Sequence, residues 1–154
     1  MSRFVFENEA RYYFENLNKL SSTGKITTRL EQYWLCAFLG LVAGKQKKEL
    51  ENSMELIDTF TESLRGHQIP ILTLLFYRYV TKVLSSYDSD LILDQMKLFF
   101  DDHAPTKLSS DAMDSLNKYA AGGFGILKEK LVNPSDLATF LINYVDLLES
   151  YLKE

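Results

Sequence analysis

The stretch Thr27 to Gly44, TTRLEQYWLCAFLGLVAG, restricts what this chain can fold into more than any other. Leu30, Trp34, Phe38, Leu41 and Val42 recur at three- and four-residue steps, and Leu35, Cys36, Ala37 and Leu39 fill the positions between. The spacing predicts a helix that is apolar on most sides beyond its first turn. Such a helix has to be covered all round, so the remaining segments pack about it, with Trp34 in the core. Thr27 or Thr28 supplies a hydroxyl to the unpaired first-turn N–H groups; Gly44, followed by Lys45, Lys47 and Lys48, marks the end. The run is interrupted by Gly40 and falls short of the roughly 20 apolar residues of a membrane span.

The segments on either side carry helical patterns too. Arg3–Phe6 reads as one short strand or as a frayed helix start. Glu7 to Leu20 has a stripe of Ala10, Tyr13, Phe14, Leu17 and Leu20, stopped at Ser21-Ser22-Thr23-Gly24. Lys45 to Arg65 predicts an amphipathic surface helix, with Leu50, Met54, Ile57, Phe60 and Leu64 inward and an acidic face over residues 49–62. Pro70 suits the first turn of a second apolar helix running to Leu84, and Asp88 or Ser89 starts a helix through Phe100. Ser110 or Asp111 caps a helix that Gly122-Gly123 ends or kinks, with further turns over Phe124 to Val132. After Asn133-Pro134-Ser135-Asp136, a last helix shows Leu137, Phe140, Leu141, Tyr144, Val145, Leu148 and Leu152 on one face.

With few prolines and glycines for turns, the predicted architecture is all-α: a single domain over residues 1–154, a bundle-like or orthogonal array of six to eight helices with one short N-terminal strand. The central pair is expected to be Thr27–Ala43 and Pro70–Leu84. Nine Tyr and ten Phe exceed what one small core needs, so a protein partner or a homo-oligomer is expected. In Tyr12-Tyr13, Phe76-Tyr77 and Phe99-Phe100, neighbouring rings diverge by about 100°, leaving one of each pair for the surface. The opening residues lack the pattern of a leader, and one cysteine gives no sign of an oxidising compartment, so a cytoplasmic setting and no membrane partner are expected.

No catalytic constellation emerges. Cys36 sits in the apolar run and reads as structural. Asp101-Asp102-His103 groups three donors, yet chain neighbours rarely converge on one ion; an enzyme using these carboxylates is the alternative from another class. Gly122-Gly123-Phe124-Gly125 follows a helical pattern, not a strand, which argues against a phosphate-cradling loop. No cofactor, metal or small-molecule substrate is called for. The net charge of −4 opposes whole-molecule polyanion binding but allows a local basic face. Lys25 and Arg29 flank one end of the central helix and Lys45, Lys47 and Lys48 the other, while Lys107, Lys118, Lys128 and Lys130 form a later group.

Ser22-Thr23-Gly24-Lys25-Ile26-Thr27 leading into Leu35-Cys36, and Gly122-Gly123 through Leu127, Lys130 and Asp136-Leu137, resemble the small helical E subunit of the bacterial DNA phosphorothioation system. The resemblance covers two short blocks and leaves Lys45 to Pro105 without a counterpart; Thr28 stands where that family usually has proline. It implies an oligomeric, non-catalytic, DNA-associated subunit with a ribbon-helix-helix-like entry: Arg3 to Phe6 as the strand, then Glu7 to Leu20 and Thr27 to Ala43 as helices. It also implies phosphate contact by Lys25 and Arg29.

The expectation is therefore a small non-enzymatic subunit that binds a macromolecular partner, with DNA in a bacterial or phage modification or defence assembly as one such partner. Lys25, Arg29, Lys45, Lys47 and Lys48 are the candidate nucleic-acid contacts. A protein-interaction scaffold using the acidic helix 49–62 is the second reading.

Overall fold

The computed structural model describes residues 3–56, 62–85 and 87–153. Its elements are β1 (Val5–Glu7), α1 (Asn8–Leu20), α2 (Arg29–Ala43), β2 (Ser53–Glu55), α3 (Glu62–Arg65), α4 (Gln68–Tyr79), a π-helical turn (Val80–Leu84), α5 (Ser89–Phe99), α6 (Ser110–Lys130) and α7 (Leu137–Leu152). The all-α class with a short N-terminal strand holds.

The central helix forms as its sequence predicts. Thr28 is the N-cap, its hydroxyl accepting from the Glu31 N–H, and Gly44 closes the helix in the left-handed conformation at φ 68°. Its principal partner, however, is α6 and not the helix after Pro70. Gly122 and Gly123 do not end α6, which runs unbroken from Ser110 to Lys130. A Cβ on Gly123 would sit 1.7 Å from the Cys36 carbonyl oxygen, and one on Gly40 2.0 Å from that of Tyr119. Each glycine in a helix interior costs about 1 kcal/mol in propensity; here that cost is offset by a backbone-to-backbone approach that only glycine permits. Ser109, one residue before the predicted cap, accepts from the Ala112 N–H at the start of α6.

The amphipathic helix predicted over Lys45–Arg65 does not form in its first half. Lys45 to Asn52 is irregular, and Ser53–Glu55 is a strand antiparallel to β1, with Phe6 opposite Met54. Tertiary pairing overrides local pattern here: β1 needs a neighbour for its edge, and the Leu56 N–H also donates to the Phe4 carbonyl. Residues 57–61 of the predicted acidic helix lie outside the described residues; helix returns only at α3. The opposite edge of β1 lies on α6, where the buried Asn117 carboxamide accepts from the Val5 N–H at 2.9 Å and donates to the Arg3 carbonyl at 3.1 Å. β1, α1 and α2 follow one another along the chain, and β1 is engaged on both edges within that chain.

Rings fill one core. Phe4 meets Tyr33 edge-on at 5.2 Å, Phe14 meets Phe140 at 6.1 Å, and Tyr13 meets Phe124 at 5.7 Å. Tyr33, not Trp34, is the buried aromatic of α2; its hydroxyl donates to Asn117 Oδ1 at 2.8 Å. Trp34 and Phe38 are half-buried and lean on one another at 6.0 Å. Of the adjacent ring pairs, Tyr12 and Tyr77 do point outward while Tyr13 and Phe76 pack inward. The start of α7 is capped from far away: Leu137 N–H donates to Ser21 Oγ at 2.9 Å and Ala138 N–H to Thr23 Oγ1 at 3.0 Å.

Candidate functional site

The helix C-terminus of α2 concentrates basic residues. Arg78 of α4 donates through Nε to the Leu41 carbonyl and through Nη2 to that of Val42, covering two of the acceptors a helix end leaves unpaired. Gly44 then turns the chain back along α6, where the Lys47 N–H donates to the Lys118 carbonyl at 3.0 Å and Gln46 Nε2 to Ser115 Oγ at 3.0 Å. Lys45, Lys47 and Lys128 thereby line one cavity of about 240 Å³ with Glu7 and Phe124. Lys48 and Lys118 border the next hollow with Asp114.

Most of these cations are already matched. Lys47 Nζ lies 2.7 Å from the buried Glu7 carboxylate, which also accepts from the Glu51 N–H; Lys118 pairs with Asp114 at 3.0 Å and Lys128 with Glu9 at 3.3 Å. The Glu7 hydrogen bond holds the Lys47 ammonium above its usual pKa, outweighing the opposing effect of desolvation. Among the described residues, Lys45 and Lys48 make no ion pair. At the other end of the 15-residue helix, some 22 Å away, Lys25 is exposed and Arg29 pairs with Glu15 at 2.9 Å. The fold gathers Lys45, Lys47 and Lys48 beside two lysines of α6 and leaves Lys25 and Arg29 apart.

The acidic loop is a tight turn. The Asp101 carboxylate accepts from the His103 N–H at 2.9 Å, and all three side chains of Asp101, Asp102 and His103 are exposed. The nearby cavity of about 260 Å³ is lined by Tyr79, Gln95, Phe99 and Asp111, with none of that triplet. Among the described residues no three His, Cys, Asp or Glu side chains converge to hold a metal ion. Cys36 is fully buried; burial first, then the Glu7 charge, pushes its thiol well above the ordinary range and so disfavours the thiolate.

The surface feature missed in the sequence lies on α7. The face predicted as one stripe is divided: Phe140 and Tyr144 are buried, with the Tyr144 hydroxyl donating to the Leu35 carbonyl at 2.6 Å, whereas Leu141 (39% exposed), Val145 (49%) and Leu152 (69%) turn outward with Ile142 (64%). The signal was the breadth of the apolar arc. Ile142, Leu147 and Tyr151 fall outside the predicted stripe, and a helix apolar over more than half its circumference either is covered on both sides or exposes one of them. Among the described residues no helix is long and apolar enough to cross a membrane.

Compared with family models, with curated proteins and with solved structures, the chain matches none.

Proposed function

We propose that this protein is a non-enzymatic subunit that works by docking the outer face of α7 against another protein chain. The observation that carries this reading is the exposed aliphatic stripe of Leu141, Ile142, Val145 and Leu152, on a helix whose inner face is already anchored by Phe140 and Tyr144. It replaces the acidic helix 49–62 as the scaffold's contact, since Ser53–Glu55 is a strand. A photo-crosslinking amino acid at Ile142 tests it in cells that make the protein: a covalent adduct with a protein chain is expected, and its absence, beside a working control position, sinks the reading.

A second reading, DNA contact, is supported by Lys45 and Lys48, which among the described residues make no ion pair and lie beside Lys118 and Lys128. Lys47 is a poor test residue, because replacing it would strand the buried Glu7 carboxylate. Lys45→Glu with Lys48→Glu should abolish a low-salt gel shift and leave the fold intact. No shift by the unaltered protein at low salt ends this reading, since phosphate contacts are strongest there.

A further inference from the structure

We infer that the cavity between Lys45 and Lys128 binds a small organic anion, a carboxylate carried on a short apolar body; the inference rests on neither of the two readings above. Gly125 carries it. Of the three glycines within α6, two are required by packing: a Cβ on Gly122 would sit 2.3 Å from the Lys45 carbonyl oxygen, and one on Gly123 1.7 Å from that of Cys36. A Cβ on Gly125 would meet nothing within 4 Å, and its backbone is ordinary helix. Alanine would fit there and is the better helix former, so neither space nor conformation calls for glycine. The missing side chain leaves open room on the wall of the cavity of about 240 Å³.

The lining sets the chemistry of the ligand. On the α6 side the wall is Ala121, Gly122, Phe124 and Gly125, none with a polar side chain. Lys45, Lys47 and Lys128 face it together with one carboxylate, Glu7, whose charge is already compensated by Lys47 Nζ at 2.7 Å and by the Glu51 N–H. Lys128 Nζ lies 5.8 Å from the centre of the Phe124 ring, and its partner Glu9, at 3.3 Å, is an exposed carboxylate that a bound anion can displace, since such pairs are weak in water. Among the described residues Lys45 makes no ion pair. Its backbone is fixed on both sides: the N–H donates to the Gly40 carbonyl at 2.9 Å, and the carbonyl lies against Gly122. Two exposed ammonium groups beside an apolar wall suit a carboxylate with a hydrocarbon tail better than inorganic phosphate, which would set a strongly hydrated ion against that wall. At roughly 30 Å³ for each water-sized group, the cavity holds on the order of eight non-hydrogen atoms, the size of hexanoate.

Hexanoate titrated into the isotope-labelled full chain tests this by nuclear magnetic resonance. The amide signals of Ala121 and Gly122 should shift together and saturate, with a half-point of about 1 mM for a ligand of this size. Hexanol and inorganic phosphate, which each keep one half of the chemistry, should bind at least about tenfold more weakly. Lys45→Gln, at an exposed position, should raise the half-point several-fold at an unchanged melting temperature. Gly125→Leu, whose side chain enters the cavity, should fold and lose the saturable shift; Lys45→Gln decides alone where Gly125→Leu fails to fold. No saturable shift by about 20 mM hexanoate, phosphate or hexanol bound as tightly as hexanoate, or an unaltered half-point in either folded variant would each overturn the inference.

Discussion

Asn117 shows how much one side chain settles in this fold. Its oxygen accepts from the Val5 N–H and the Tyr33 hydroxyl, and its amide donates to the Arg3 carbonyl, so it replaces a missing third strand and ties α2, α6 and β1 together. Asn117→Ala should destabilise by about 2–4 kcal/mol, because a buried amide N–H and a buried hydroxyl lose their acceptor together. Tyr33→Phe should cost only about 1 kcal/mol, since Asn117 Oδ1 keeps the Val5 N–H. Urea midpoints check both; a near-neutral Asn117→Ala would mean that water takes over the role. Cys36 supplies another residue-scale test: a thiol reagent should react with the native protein only as fast as it unfolds, and rapid labelling without denaturant would contradict the burial. That Cys36 is structural was legible from the apolar run around it. That Tyr33 and not Trp34 is the core ring was not, because successive positions on an all-apolar helix differ only in which neighbours face them.

At the level of elements, the α2–α6 pair depends on glycines that a propensity reading treats as breakers. Gly123→Ala should destabilise by about 3 kcal/mol or more, or force the helices apart, because its methyl would overlap the Cys36 carbonyl. Gly125, two residues on in the same helix, faces nothing within 4 Å. Gly125→Ala should therefore stabilise by about 0.5–1 kcal/mol. Opposite signs for these two substitutions in thermal melts are the expected outcome; equal losses would show that α6 is in fact broken there. Caps at Thr28, Gly44 and Asp88 were visible in sequence because a cap is a contact between residues a few positions apart. The strand at Ser53–Glu55 was hidden because its reason for being extended is β1, far away along the chain.

Across the whole molecule, the loop after α1 holds the start of α7. Asp136 accepts from Thr23 Oγ1 at 3.0 Å and from the Ser22 N–H at 3.3 Å. Desolvation pushes its carboxyl up, but the hydrogen bonds from Thr23, Ser22 and Thr139 outweigh it, and the pKa lies below the ordinary aspartate value. The carboxylate is thus favoured in the folded state, so its contribution to stability is complete above the unfolded value of about 3.9 and is lost as pH falls through the lower folded one. The stability difference between the protein and its Asp136→Asn variant should be constant between about pH 7 and 5 and shrink below about pH 4; a gap that persists in strong acid would assign the effect to shape and not charge. Helix content, the central position of α2 and its caps were determined by the sequence itself, because periodicity and capping act within a few residues. Which helix lies against α2, why Gly122 and Gly123 are tolerated, how the lysines are matched with carboxylates and which side of α7 remains bare were decided only by tertiary structure. Each of those depends on two segments distant in the chain meeting in space, and a helix apolar on more than half its circumference does not by itself say which half will find a partner.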